Sequence, residues 1–279
     1  MQSDVATDAP ERNRGNTVIS NVSIRLNEKG TEFSKRYVGL VKVTHSTPNV
    51  DFYQVDWDAR PRGIVAVEHG SHSLVIEDVL GVQAAQHLTG VIADEGMYEF
   101  DISAGMSVPS PSLIAHDEAR LKTYAILQRI LEAGWVPITS RSRPRLHGQA
   151  RLNYAINVSN SVGLDPRYVP TLEEWMKLER GTEWRFYADH IYLNIGFERE
   201  RTLLDPLKPG SYLLNFNVKS ETEHFRAYVE SEDRAKWQTL LPATLSKLAA
   251  MRLKTETELR TKGIPVDDSY QDPPIPALK

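Results

Sequence analysis

Three groups of residues have types and spacings that could do chemistry. Ser107 lies in Gly105-Met106-Ser107-Val108-Pro109, near the pattern of a serine-hydrolase elbow. That elbow needs glycine two residues either side of the serine, because its tight strand-to-helix turn brings backbone segments together. Here the second glycine is Pro109, so the stretch SVPSPS reads as an open loop. His69 and His72 are three apart, with Glu68, Glu77 and Asp78 nearby. A hydrolytic metal site usually takes a helical histidine pair four apart with a carboxylate in register, and HGSH reads as a turn. The third group is basic: Arg141, Arg143, Arg145, His147 and Arg151 within TSRSRPRLHGQARLN. Arginine forks pair with carboxylates and phosphates, so this run suits either an acidic partner or a solvated loop.

Other candidates have plainer readings. His116-Asp117-Glu118 fits the first turn of a helix, where acids meet the positive end of the dipole. Glu173-Glu174 and Glu230, Glu232 and Asp233 could do acid–base work in a cleft, but acids at helix starts are usually solvated caps. Neither glycine-rich phosphate loop is present in the sequence. The expectation is a binding protein rather than an enzyme, with no catalytic residue, cofactor or metal assigned. A hydrolase using Ser107 or a His69/His72 site is the lesser alternative.

Composition agrees with a packed, partner-binding chain. Of 279 residues, 41% are hydrophobic, enough for a core. Lys plus Arg number 33 against 37 for Asp plus Glu, a net charge of −4 that argues against nucleic acid as the partner. With no cysteine, disulfides, thiolate metal sites and thiol nucleophiles are excluded, and export is mildly favoured. No stretch is long and apolar enough to span a membrane. Residues 1–16 are polar and read as the spacer that follows a cleavage or lipidation site, so an N-terminal lipid anchor ahead of them is conceivable as part of the expectation.

The elements that must position these groups can be read from periodicity. Strands are expected at 17–26 and 35–44, paired antiparallel across Asn27-Glu28-Lys29-Gly30, then at 63–67, 73–76 and 97–103. A helix over 117–133 should bury Leu121, Tyr124, Ala125, Leu127, Ile130 and Leu131 and stop at Gly134. Residues 139–153 read as a domain boundary or long exposed loop. Thr171 with Glu174 forms a capping-box pattern. Alternation around Ala188-Asp189-His190 predicts a tight hairpin, and 211–218 another strand. A helical region over 232–262 should break at Pro242, and the Pro-rich end reads as an extended strap or a disordered tail. The fold class expected is α+β in two lobes, 17–150 and 151–262, each a mainly antiparallel sheet with one or two helices, followed by the tail 263–279.

The segment GTEWRFYADHIYLN at 181–194, with the preceding LEEWMKLERG, resembles immunity proteins that protect bacteria from type VI secretion lipase effectors. EARLKTYAILQRILEAGWVP at 118–137 shares in that resemblance. It implies an exported, often lipid-anchored periplasmic protein that binds a toxic lipase or phospholipase and blocks it. The lipobox cysteine of such lipoproteins is not in this sequence. Tight interfaces rest on aromatic and arginine anchors. The expected partner-binding residues are therefore Arg141, Arg143, Arg145 and His147 in the central loop and Tyr187, Asp189 and His190 at the hairpin. Trp184 and Tyr192 are expected in the core. A structural or adaptor protein of a secretion envelope machine is the other alternative.

Overall fold

The computed structural model describes residues 21–47, 49–57, 61–89, 93–106 and 113–276. Ser107 and the polar segment 1–16 lie outside them. Ten strands form one sheet in the order β1 (Asn21–Ile24), β4 (Gly63–Val67), β5 (Leu74–His87), β6 (Met97–Gly105), β10 (Tyr212–Ser220), β9 (Ile191–Arg199), β8 (Glu183–Ala188) and β7 (Val136–Pro137). β2 (Lys42–Thr47) pairs with β3 (Val50–Asp56), and β3 joins β5. The expected α+β class and mainly antiparallel pairing are present. The expected two sheets are not: β6 pairs with β10 over seven positions, so strands from both halves of the chain form one sheet. The boundary at 150/151 falls inside α3 (Gly148–Asn157).

β5 is long enough to hold two partners on one edge. Its first half pairs with β4 and its second half with β3. The β4–β5 register shifts between Gly63 and Val65, opposite the stretch of β5 where Asp78 takes a φ of 55°. Such bulges bend a strand and redirect its pairing.

The expected pairing of 17–26 with 35–44 is wrong. β1 runs parallel to β4, and α1 (Gly30–Arg36) occupies the start of the second expected strand. Phe33 and Tyr37 are one helical turn apart, with ring centroids 5.3 Å apart, and Phe33 is fully buried. Gly30 starts this helix where a side chain could not fit, since a Cβ would come within 2.0 Å of the Tyr53 ring.

The α2 helix (His116–Glu132) forms as expected and stops at Gly134, whose φ is 86°. Its buried face is Ala119, Thr123, Tyr124, Leu127 and Ile130. Of the residues expected inside, Leu121 is 52% exposed, Ala125 is exposed and Leu131 is half-buried. The short helix α4 (Leu172–Met176) carries the full capping box: the Glu174 amide donates to Thr171 Oγ1 and the Thr171 amide to Glu174 Oε2.

The β8–β9 hairpin turns at Asp189 and His190, with φ of 39° and 69°. Two positive φ values in a two-residue loop match the right-handed twist of the flanking strands. Leu193, Ile195 and Phe197 of β9 enter the large core, which also takes residues of α2, α3 and α4. Tyr192 faces a second cluster with Ile138, Phe225, Val229, Trp237 and Leu241. α5 (Glu221–Arg226) and α6 (Trp237–Thr261) supply that second cluster.

α6 runs through Pro242 without a break. The proline lies in the second turn, where its missing N–H removes a single ladder bond. Residues 263–276 form a strap. The Asp267 amide donates to the Arg145 carbonyl at 2.7 Å, and the Thr139 amide to the Tyr270 hydroxyl at 2.9 Å.

Candidate functional site

The basic loop and the hairpin are linked through β7. After α2, Trp135 is buried, and its indole N–H donates to the His72 carbonyl at 2.8 Å. β7 then pairs with β8 by Val136 with Tyr187 and Pro137 with Phe186. It is two residues long and ends the sheet, with Val136 56% exposed.

Beyond β7 the loop is fixed mainly by its own arginines. Arg141 donates to the Pro273 carbonyl at 2.7 Å and lies over the Phe225 ring at 5.5 Å. Arg145 grips Glu256 of α6 through Nε at 2.9 Å and Nη2 at 2.7 Å, and its backbone amide donates to the same carboxylate. Arg252 of α6 donates to the Ser140 and Arg143 carbonyls and to both oxygens of Asp272. Loop, helix and strap thus form one ion-paired seam. Arg151 is buried in α3 and donates to the Gly163, Val162 and Ile138 carbonyls. Burial pulls its guanidinium down to about 10, still charged at neutral pH.

These placements sort the expected partner-binding residues. Arg141 and Arg145 are committed to internal contacts. Arg143 is half-buried, and its guanidinium has no hydrogen-bond or ion-pair partner among the described residues. His147 is exposed at the start of α3. At the hairpin, Tyr187 is half-buried, packs edge-on against Tyr192 at 5.1 Å, and accepts from the His190 amide. Asp189 and His190 are exposed, with His190 Nδ1 3.1 Å from Glu221 Oε2. The Arg185 carbonyl accepts from the Ile138 amide, so the loop leaves the sheet near Arg185. Arg185 and His190 are five residue steps apart along β8 and its turn, roughly 16 Å of extended chain. Arg143 and His147 thus follow the end of β7, and Asp189 lies at the turn of the β8–β9 hairpin on which β7 pairs.

His69 and His72 tie the sheet to this region. His69 Nε2 lies 2.9 Å from the Ala188 carbonyl and His72 Nδ1 2.8 Å from the Ala133 carbonyl. Each nitrogen must carry a hydrogen to satisfy its carbonyl. Trp184 and Tyr192 are buried as expected, at 0% and 2% exposure. Among the described residues no group of three or more His, Asp or Glu side chains is placed to hold a metal ion.

The chain matches no protein-family model, no curated protein and no solved structure. Its surface chemistry must therefore be read from its own residues.

Sequence reading missed the groove between α6 and the strap, a cavity of about 430 Å³. Leu245, Ala249 and Leu253, each one turn apart on α6, line it with Ile275 of the strap. Leu253 is 63% and Ile275 46% exposed. The i, i+4, i+8 spacing was available in the sequence; what hid it was the assumed break at Pro242.

Two half-buried histidines titrate away from their ordinary value. His224 stacks on Tyr192 with centroids 3.4 Å apart. Burial, then the charges of Lys219, Arg141 and Arg185, push it down to about 3. Burial and the Arg226 and Arg234 charges push His87 down to about 4. Both histidines are neutral when folded and take up protons on unfolding below about pH 6.5. A folded value below the unfolded one in a base means stability is intact above about pH 6.5 and falls as the pH drops toward 4. Urea midpoints measured from pH 7.5 to 4.5 should decline over this window, and Phe replacing His224 should reduce the decline.

Proposed function

We propose that this protein is an immunity protein that binds a cognate secreted lipase or phospholipase toxin in the bacterial periplasm and neutralises it. It acts by binding and not by catalysis. The supporting observation is spatial. The two stretches that carry the resemblance, 118–137 and 181–194, are separated in sequence yet fold as one unit, α2 running into β7 on the β8–β9 hairpin. The edge of that unit exposes Val136, Asp189 and His190, and Arg143 and His147 lie in the loop and helix start that follow.

A partner meeting this edge would find an apolar strand residue flanked by unpaired charge of both signs, the arrangement that sets register in polar interfaces. No helix among the described residues is long and apolar enough to cross a membrane. The test is co-expression with each of a panel of type VI secretion lipase effectors, directed to the periplasm of a sensitive host. Growth should be restored against the cognate effector by this protein and by no unrelated periplasmic protein; continued lysis with every effector, both proteins abundant, would refute the reading.

A further inference from the structure

On the second face of the sheet lies a cavity of about 70 Å³ between β9, the 138–141 segment, α5 with its following turn, and the strap. Liquid water occupies about 30 Å³ per molecule, so the space suits one small polar group. Tyr192 lines it, is 2% exposed, and has a hydroxyl buried without a hydrogen-bond partner. Such an orphan is uncommon in a folded protein and calls for an explanation. Asn194, two residues on and on the same face, also lines the cavity, and its amide has no partner among the described residues.

The cavity wall carries two guanidinium groups able to meet an anion. Arg141 and Arg185 both line the cavity. Asp272 is in the wall too, but its oxygens already accept from both Nη atoms of Arg252 and from the Tyr270 hydroxyl. Arg185 is offset in part by Glu183, and Arg141 in part by Asp272, 3.6 Å from its Nη1. His224, stacked on Tyr192, is held neutral chiefly by burial, and next by Lys219, Arg141 and Arg185, while at Tyr192 the Arg141 charge is opposed by that of Glu221. A phenol and an amide supply donors, and guanidinium groups supply charge.

We propose that this cavity is a carboxylate-binding pocket, with the Tyr192 hydroxyl and Asn194 amide donating to the ligand and Arg141 and Arg185 balancing its charge. The carboxylate comes either from an acidic side chain of a protein partner or from a small free acid of acetate size. The assignment rests on the cavity alone and stands apart from the toxin reading.

The experiment uses the isotope-labelled full chain, with acetate titrated against sodium chloride at matched ionic strength. A capped Gly-Glu-Gly peptide and its Gly-Gln-Gly counterpart are titrated separately. In the unaltered protein, acetate should give saturable shifts at the Tyr192 and Asn194 amides that chloride does not. Tyr192→Phe should weaken acetate at least tenfold while melting no lower than the parent, since it removes only the orphan hydroxyl. Asn194→Ala provides a second variant with the same expected loss. Saturation by the Glu peptide but not the Gln peptide identifies a side chain as the natural ligand; saturation by acetate alone identifies a free acid. Equal shifts with chloride, no saturation by either carboxylate, or undiminished affinity in both variants would overturn the pocket.

Discussion

Arg145→Ala should cost about 3–5 kcal/mol of stability, because it leaves a buried carboxylate unpaired. The carboxylate is Glu256, 1% exposed within α6. Arg145 supplies both side-chain hydrogen bonds recorded to it within 3 Å; Arg260 is 3.9 Å away. Burial works against the ionised form of Glu256, and the Arg145 hydrogen bonds and charge outweigh it, holding its pKa below the ordinary value. A lowered carboxylate contributes stability that is present above its unfolded value of about 4.3 and is lost as pH falls through the folded value. In Arg145→Ala this acid-side contribution should vanish along with the neutral-pH loss. Denaturant unfolding at pH 7 and pH 4 reads both. Because the Arg145 carbonyl also holds the Asp267 amide, amide exchange in the strap should rise. Replacing both partners with leucine should recover much of the loss, since a buried ion pair is often matched by apolar packing of similar volume.

Arg143→Glu combined with Asp189→Asn should weaken the proposed toxin binding about 100-fold, equivalent to about 2.7 kcal/mol, and leave the melting temperature nearly unchanged. Neither side chain has an internal partner to lose, and hot-spot substitutions commonly cost 2 kcal/mol or more. Asparagine is the right replacement at position 189. The residue sits at φ 39°, a region asparagine tolerates about as well as aspartate, so the change reads charge without backbone strain. Arg141→Ala is not an equivalent test, since it would also cut the Pro273 and Phe225 contacts. Binding measured by calorimetry, with circular dichroism as the folding control, separates the two effects. Undiminished affinity would remove this edge as the docking surface and direct attention to the α6–strap groove.

Much of the fold was legible where local signals agreed. The capping box at Thr171, the glycine stop at Gly134 and the turn at Asp189-His190 each depend on chemistry within a few residues, and each is present. The failures came from elements that depend on distant partners. KRYVGLVKVT has strand-like composition, yet Arg36 ends a helix whose seat is formed by Phe33 under the sheet and by Tyr53 beside Gly30. One sheet in place of two follows from β6 pairing with β10 across more than a hundred residues, a contact that periodicity cannot report. The basic run was recognised, but its division was not. Glu256 and Asp272 lie 111 and more residues away from the arginines they neutralise, so Arg141 and Arg145 looked as free as Arg143.

The central proposal, that this chain neutralises a lipase by binding it, is tested most directly by titrating the purified protein into each of a panel of type VI secretion lipase effectors, the cognate one among them being expected to respond. Hydrolysis of a phospholipid substrate should fall linearly and reach background near one equivalent, with Arg143→Glu/Asp189→Asn needing a large excess to do the same. Full activity of every lipase at tenfold excess of the folded protein would contradict it.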